Sequence, residues 1–486
     1  MEDDEAVASR RGQDRRHRRP EIATFLSFLW PGVGQLYAGR RLLALLFALP
    51  ILAIVVVAGV AFLNERQFLA FRLFQPGVAV AITLAIVTAG LWRLAAMVHA
   101  NAAAGGQRAF TGRPILVLAV LAIVVVGAHV GLARVAWSFH TNAPRIFVAT
   151  NPNPAVPAPV IDPTPTPPPG STPLPVPSED LPAESPLTEP PPSVPPASAQ
   201  PPPPSDRVNI LIAGLDSAPG RSHELTDTLI VVSVDKTTRE VAMVSFPRDI
   251  ASFPLSDGRT YRGKINSLLT YARQHEDQFR APPMSVLAGE LGYLLGIQID
   301  HYAAINLEGF ERLIDTVGGV TVNNERRLVD PSLLVYRDNA DRPFTVEAGL
   351  QTLNGRDALM FVRSRHGSGG SDFARATRQQ AVLLGLRNKL TDPAMLPRLP
   401  EILDALAGTI TTNYPPERLA ETIDLGRNID DASIRRYVLG PPYSWHPPTD
   451  QTGGSWELRL YLDRVAELSI DLFGAESRYA QLLGTP

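Results

Sequence analysis

The sequence has no cysteine among its 486 residues. Disulfide bonds, thiolate metal sites and cysteine nucleophiles are therefore excluded from any account of its function. A strong net charge is also missing, since the formal value is -3 at pH 7. This near-neutral balance gives no reason to expect nucleic acid or an acidic polymer as the principal partner, and we expect no nucleic-acid partner.

What the chain does contain is distributed unevenly along it. Long runs of Ala, Val, Leu and Ile with almost no charge occupy most of residues 42–137. Half of the prolines, 23 of 46, fall between Pro152 and Pro204. The composition therefore predicts three physically different regions, which are a membrane region at residues 21–138, a linker at 150–205 and a folded head at 206–486.

Three stretches of the membrane region are apolar and long enough to cross a bilayer, which takes about 20 residues of helix. They run roughly over Leu42–Leu63, Gly77–Val98 and Pro114–Trp137. A cleaved signal peptide would have one short apolar run and a small-residue cleavage site, so it is a poor alternative. We expect a multi-pass membrane protein.

Basic residues in short segments favour the cytoplasmic side of a membrane. Residues 1–20 form a basic tail, and three spans also place the loop with Arg108 and Arg113 inside. The N-terminus is then cytoplasmic, and everything after Trp137 is extracytoplasmic. The basic residues of the tail are Arg10, Arg11, Arg15, Arg16, Arg18 and Arg19.

A weaker apolar stretch, Ile22–Tyr37, is interrupted by Pro31, Gly32 and Gly34. We interpret it as an interfacial or re-entrant segment, because a fourth full span would place the head inside. Residues Pro31–Gly39 look like the PGxGQxYxG opening of small membrane hairpin modules. A tight interfacial turn with a polar Gln is the simpler interpretation, which we favour.

The linker consists largely of Pro, Ser, Thr and Ala. It cannot bury enough apolar surface to offset chain entropy, so the composition predicts a disordered, extended stalk. In polyproline II form, 54 or so residues would reach on the order of 170 Å at about 3.1 Å each. An SH3-type ligand is the alternative, which an extracytoplasmic location disfavours.

The head begins with short β-type runs and continues with helical patterns, which predicts an α/β domain with a central mixed sheet flanked by helices. The first two strands are predicted at Val208–Ala213 and Thr228–Val234, and a hairpin-length connection leads to a third at Glu240–Phe246. Predicted helices cover Ser285–Leu295, Leu307–Val317, Arg356–Arg363, Phe373–Leu390 and Pro400–Ala407.

Polar residues unsuited to a core lie at the ends of these elements, where ligand crevices form in open α/β sheets. Asp216 follows the first strand, Asp227 opens the second, and Arg248 and Asp249 end the third. Clustered carboxylates favour a cation and clustered arginines favour an anion, so a diphosphate bridged by a metal would satisfy both. Ordinary surface salt bridges are the alternative for any single motif.

Taken in order, these motifs resemble the LytR-CpsA-Psr family of cell envelope-related transferases over residues 207–390. The matching elements are Gly214–Asp216, Asp227-Thr228, Ser245–Asp249, Lys264–Asn266, Gly309–Val320, Gly349–Leu359, Arg363–Arg365 and Asp372–Gln380. The part that follows, residues 391–486, holds no further chemical motif and is expected to complete the fold, with patterned stretches at Ile434–Leu439 and Leu458–Ile470.

The resemblance implies a set of site residues in three groups. Asp216 and Asp227 would hold Mg²⁺ or Mn²⁺. One departure from the family pattern is Leu225, which stands where an Arg is frequent; Arg221 lies in the same loop. Catalytic roles would fall to Arg248, Asp249, Arg363, Arg365, Asp372 and Arg375. Substrate binding would fall to Lys264, Asn266, Arg378 and Gln379.

The activity implied is transfer of a glycan phosphate from a polyprenyl diphosphate carrier to peptidoglycan or another cell-wall acceptor, with polyprenyl phosphate leaving. Either Asp372 or Asp249 could be the base that takes the proton of the acceptor hydroxyl. The competing functions are a polyprenyl diphosphate hydrolase and a non-catalytic lipid-binding or regulatory module. A polyprenyl slot could be lined by helices around Leu287, Phe310 and Leu383, although the same spacing is typical of an ordinary core.

Overall fold

The structure, a computed structural model, describes residues 18–65, 71–148, 207–217, 224–279, 281–337, 340–367, 371–448 and 450–483. Most of the basic tail, the predicted stalk and Arg221 lie outside these residues. The chain divides into two compact units, Met1–Pro144 and Arg145–Pro486, which we describe separately.

The N-terminal unit is helical. It consists of α1 (Pro20–Leu29), α2 (Val33–Tyr37), α3 (Arg41–Glu65), α4 (Pro76–Gly105) and α5 (Arg113–Ile146). The last three contain the three predicted spans and are long and apolar enough to cross a membrane. Many of their large apolar side chains are exposed, Leu42 to 85%, which is the pattern of helices that face lipid.

The PGxGQxYxG segment, Pro31–Gly39, forms the turn after α1, all of α2 and the two residues that follow it. Gln35 is fully buried, where its Nε2 donates to the Ala96 carbonyl of α4 at 2.8 Å and its Oε1 accepts from Ser27 Oγ at 2.9 Å. A Cβ at Gly34 would lie 2.1 Å from the Ala23 carbonyl oxygen. The expected turn is therefore present, but its Gln is an internal link between helices, and the glycine allows their close approach.

The head is built on a mixed six-stranded sheet. Its strands in spatial order are β11 (Ile410–Thr412), β6 (His301–Asn306), β1 (Arg207–Asp216), β2 (Leu225–Asp235), β3 (Val241–Ser245) and β12 (Ile434–Val438). β2 is antiparallel to both β1 and β3, while β1 with β6 and β3 with β12 are parallel pairs. The C-terminal ends of β1 and β3 therefore lie at the same end of the sheet.

Four two-stranded ladders accompany this sheet. They are β4 (Ala251–Pro254) with β5 (Thr260–Lys264), β7 (Val320–Asn324) with β10 (Gly349–Leu353), β8 (Leu328–Arg337) with β9 (Ala340–Val346), and β13 (Ser444–Trp445) with β14 (Arg459–Leu460).

The head contains the predicted helices and further helices that were not predicted. They are α6 (Leu268–Gln274), α7 (Pro283–Leu295), α8 (Leu307–Thr316), α9 (Gly355–Arg363), α10 (Asp372–Leu390), α11 (Leu399–Leu406), α12 (Leu419–Arg427), α13 (Leu462–Phe473) and α14 (Arg478–Leu483). Each of the five helices predicted in the head is present, with ends that differ by at most two residues.

Alternation along β1 separates the two faces of the sheet. Leu211 and Ala213 pack in a cluster with α6, α7 and α13, whereas Ile212 packs on the other face in a cluster that includes α10 and α12. Leu287 and its neighbours on α7 are buried in the first cluster. This helix therefore supplies ordinary core, and it was one of the candidate walls of a polyprenyl slot.

Candidate active site

A β-bulge shapes the end of the sheet where Asp216 and Asp227 lie. The β1–β2 register runs regularly to Gly214 opposite Thr228 and then shifts to Leu215 opposite Thr226. Asp227 is therefore the extra residue of the bulge, and such irregularities re-aim a side chain. A Cβ at Gly214 would lie 2.9 Å from Thr228 Cβ, so the close approach at the bulge requires glycine.

The segment after β3 brings a cation to Asp227. Arg248 Nη1 lies 2.9 Å from Asp227 Oδ1, and its Nε lies 3.7 Å from Asp249 Oδ2. Lys264 Nζ donates to the other oxygen of Asp249 at 2.6 Å. Asp249 is thus a buried carboxylate held between two cations, which satisfies the usual condition for burying a charge.

The start of α10 supplies a second set of charges. Ser371 caps the helix by accepting a hydrogen bond from the Ala374 amide, and Asp372 follows in the first turn, where a carboxylate is favoured. Both oxygens of Asp372 contact Arg365, at 3.0 Å from Nε and 3.2 Å from Nη2. Its Oδ1 also lies 3.2 Å from Arg375 Nη2.

The two sets form one electrostatic cluster. Burial alone would lower the pKa of the Arg248 guanidinium, but the carboxylates of Asp227, Asp249 and Asp372 outweigh burial and raise it. Burial lowers the pKa of Arg375, with repulsion from Arg248 acting in the same direction. Six of the predicted site residues therefore share one field, and Lys264 joins them through Asp249.

Arg375 has unused capacity in this cluster. The residue is buried, and among the described residues its Nε has no hydrogen-bond partner. A buried donor left without an acceptor costs roughly 1 to 3 kcal/mol. An anion accepted at this position would remove that cost, so the arrangement is suited to a phosphate group.

A buried carboxylate that the sequence did not single out positions Arg365. Asp330 of β8 accepts hydrogen bonds from Ser332 N (2.9 Å) and Oγ (2.6 Å), from Ser364 Oγ (2.6 Å), and from the amides of Arg365 (3.1 Å) and His366 (3.2 Å). Burial would raise the pKa of Asp330, but these bonds outweigh burial and hold it well below its usual range. The Asp-Pro-Ser letters signal only the local turn.

Two predicted arginines form no ion pair with the carboxylates of the cluster among the described residues, although the positive charge of Arg375 acts on one of them, Arg378. Arg363 is exposed in the last turn of α9. Arg378 donates through Nε and Nη2 to the carbonyls of Phe361 and Ser364, and burial lowers its pKa to about 10. These contacts indicate that Arg378 holds the end of α9, where unpaired carbonyls need donors.

The two predicted amide side chains contact the backbone or are buried. Gln379 Nε2 lies 3.4 Å from the Val362 carbonyl. Asn266 is buried, and its backbone carbonyl oxygen accepts a hydrogen bond from Thr226 Oγ1 at 3.2 Å. Their substrate-binding roles remain predictions.

The residues at the bulge fit a divalent ion that binds together with phosphate. Asp216 and Asp227 lie at the same end of the β1–β2 ladder, and Mg²⁺ commonly takes one or two carboxylates and completes its shell with water and phosphate oxygens. Among the described residues there is no group of three or more His, Cys, Asp or Glu that could hold a metal alone.

Comparison with known proteins identifies the family to which the chain belongs. A family model described as LytR_cpsA_psr family matches residues 191–440, slightly more than half of the chain. The chain belongs to the LytR_cpsA_psr family. The matched segment contains every predicted site residue, from Asp216 to Gln379.

Two relatives of this family member illustrate the similarity. The chain is 32% identical over 214 residues to the polyisoprenyl-teichoic acid--peptidoglycan teichoic acid transferase TagU of Oceanobacillus iheyensis, covering 44% of this chain and 61% of the relative. It is 28% identical over 256 residues to biofilm regulatory protein A of Streptococcus mutans, covering 51% and 59%. The chain thus spans about three fifths of the length of these relatives.

Among solved structures, the chain is similar to B. subtilis TagV. The match has a TM-score of 0.43 and 20% sequence identity, and it covers 55% of this chain and 97% of that chain.

Proposed function

We propose that the head is a metal-dependent glycopolymer phosphotransferase. It moves a glycan phosphate from a polyprenyl diphosphate carrier to a cell-wall acceptor such as peptidoglycan and releases polyprenyl phosphate. The observation that carries the proposal is the single cluster of Arg248, Arg365 and Arg375 at the end of the sheet where Asp227 lies. Guanidinium groups match phosphate oxygens in pairs, and a diphosphate is the dianionic partner this cluster can take.

In the proposed reaction, the acceptor hydroxyl oxygen attacks the phosphorus next to the glycan. The bond from that phosphorus to the bridging oxygen breaks, and polyprenyl phosphate departs with the bridging oxygen. Such transfer depends on positioning and charge neutralisation more than on covalent catalysis. The three arginines hold the phosphate oxygens, and the buried Nε of Arg375 gains an acceptor when substrate binds.

The exposure of the two candidate bases favours Asp372. The side chain of Asp372 is 19% exposed, whereas that of Asp249 is 7% exposed, and each carboxylate contacts two cations. A base must come within about 3 Å of the hydroxyl whose proton it takes. We therefore assign the proton to Asp372 and a positioning role to Asp249.

Asp216 and Asp227 are the proposed ligands of Mg²⁺ or Mn²⁺. When bound, the ion neutralises charge on the diphosphate oxygens. Arg248 already contacts Asp227 Oδ1, so its guanidinium orients this carboxylate and can hold a phosphate oxygen beside it. Membrane attachment through α3, α4 and α5, with an extracytoplasmic head, would bring this site to a lipid-linked donor.

The test incubates the full chain in nanodiscs with a polyprenyl diphosphate-linked disaccharide, with and without uncrosslinked glycan strands. Product that requires the acceptor supports transfer. Release of polyprenyl phosphate and glycan phosphate without acceptor indicates the hydrolase, and binding without turnover indicates the non-catalytic module. In a parallel Mg²⁺ titration, Asp227→Asn should raise the concentration needed for half-maximal activity, and an unchanged titration would remove Asp227 from the metal site.

A further inference from the structure

The hairpin of β13 and β14 carries an exposed aromatic platform. The Trp456 and His446 rings stack with centroids 3.8 Å apart and an interplanar angle of 26°. His446 Nδ1 lies 2.7 Å from the Glu457 carbonyl oxygen, to which it donates. That bond fixes the imidazole beneath the indole, and Trp456 is nevertheless 46% exposed. The platform lies beyond residue 440, where the family match ends.

Backbone hydrogen bonds tie this hairpin to the charged cluster. The Leu458 amide donates to the Asp249 carbonyl at 2.8 Å, and the Ala251 amide donates to the Leu458 carbonyl at 2.8 Å. Trp456 is two residues from Leu458, and two residues of extended chain span about 7 Å. The platform therefore lies next to the segment that presents Arg248 and Asp249.

We propose that Trp456, supported by His446, binds a pyranose ring of the acceptor glycan. This inference rests on the proposed transfer and names a subsite for its acceptor. The C–H face of a pyranose is apolar and packs on an aromatic face, while its hydroxyl groups extend to the sides and need polar partners. Thr452, Ser455 and Arg459 lie in the same hairpin. Thr452 Oγ1 donates to the Ser455 carbonyl and Arg459 is paired with Glu457, so the ordered Thr452 hydroxyl can still accept and the guanidinium retains further N–H donors.

Isolation of the indole favours a sugar over a lipid surface. The other exposed large apolar side chains of the unit Arg145–Pro486, among the described residues, are Val148, Leu334, Leu350, Leu482 and Leu483. All of them are far from Trp456 in the chain, and its sequence neighbours Ser455 and Glu457 are polar. Membrane contact and lipid tails require contiguous apolar surface, whereas one stacked ring between polar groups is typical of a site that orients a polar ligand.

The test uses the full chain in nanodiscs and a β-1,4-linked N-acetylglucosamine tetramer as probe. Titration should change the intrinsic tryptophan fluorescence of the wild type, and Trp456→Ala should abolish that change. In the transfer assay, Trp456→Ala should raise the KM for glycan strands about tenfold while leaving kcat and the donor KM unchanged. Trp456→Phe keeps an aromatic face and should remain within about threefold of the wild type.

Leu350→Ala is the matched control, because it removes a 76% exposed apolar side chain of another ladder. An acceptor KM that is unchanged in Trp456→Ala would overturn the inference while leaving the transfer intact. A raised donor KM instead would overturn it in favour of lipid contact. The fluorescence titration requires no turnover, so tetramer binding that depends on Trp456 would support the platform even where the transfer assay failed.

Discussion

Asp330 shows how one buried carboxylate can organise a site it does not enter. Replacing it with Asn keeps the volume but removes the charge and turns one acceptor into a donor that faces the Ser332, Ser364 and Arg365 donors. We expect Asp330→Asn to lower the free energy of unfolding by about 2 kcal/mol or more. Activity should fall as well, because Arg365 would no longer be held in place by its bond to Asp330. Thermal unfolding and kcat, measured on one preparation, check both.

The stabilising effect of Asp330 should depend on pH in a defined direction. Its folded-state pKa is depressed below the usual 3.8, so the stabilisation is complete above the unfolded pKa and is lost as the pH falls toward the folded pKa. The difference in stability between wild type and Asp330→Asn should therefore be constant near neutrality and shrink below about pH 4. A difference that grew in acid would contradict this assignment.

The two arginines of the Arg-Ser-Arg motif should not be equivalent. Arg365 contacts Asp372 through two nitrogens, whereas Arg363 is exposed. We expect Arg365→Lys to reduce kcat/KM for the donor on the order of tenfold to a hundredfold, since a lysine cannot reproduce the paired contact. Arg363→Lys, the matched control, should change it less than threefold. Equal losses would show that Arg363 also binds the diphosphate in the working state.

The sequence predicted most of the cluster but not what orders it. Residue type and order indicated Arg248, Arg375 and Asp372, because charged groups at strand ends and helix starts point to a site. The difference between Arg363 and Arg365 depends on where α9 ends. The role of Asp330 depends on a contact between residues 34 positions apart. No local pattern reports either fact.

At the scale of elements, the bulge between β1 and β2 should be sensitive to one methyl group. Gly214→Ala places a Cβ 2.9 Å from Thr228 Cβ, so strand separation must increase at Thr228, the residue after Asp227. We expect a loss of stability of about 1 to 3 kcal/mol and a larger loss of activity. Gly426→Ala on α12, where the nearest atom would be 3.3 Å away, is the control. Circular dichroism melts and the transfer assay distinguish the two variants.

Periodicity predicted elements that are long or strongly patterned. The hairpin connection after β2 is present, with Arg239 at a φ of 65°, and the amphipathic helices begin and end close to their predicted bounds. The β8–β9 ladder and the three-residue β11 were missed. β11 exists because it pairs with β6, more than 100 residues earlier, and propensity in a short run is too weak to indicate such pairing.

For the whole molecule, the number of crossings determines which side the head occupies. Three spans and a basic, cytoplasmic N-terminus predict that protease added to spheroplasts cleaves within residues 150–205 and releases the head. The released fragment can be identified by its mass. Cleavage only after permeabilisation would reverse the proposed orientation. A cytoplasmic marker protein that stays intact under the same conditions is the control.

The β8–β9 hairpin also offers a route to inhibition. A surface cavity of about 480 Å³ is lined by Val329, Val335, Arg342 and Phe344, among others, and Val329 adjoins Asp330. A small molecule seated there would press on the strand that fixes Arg365 without entering the charged cluster. Such a compound would lower kcat without competing with the lipid-linked donor.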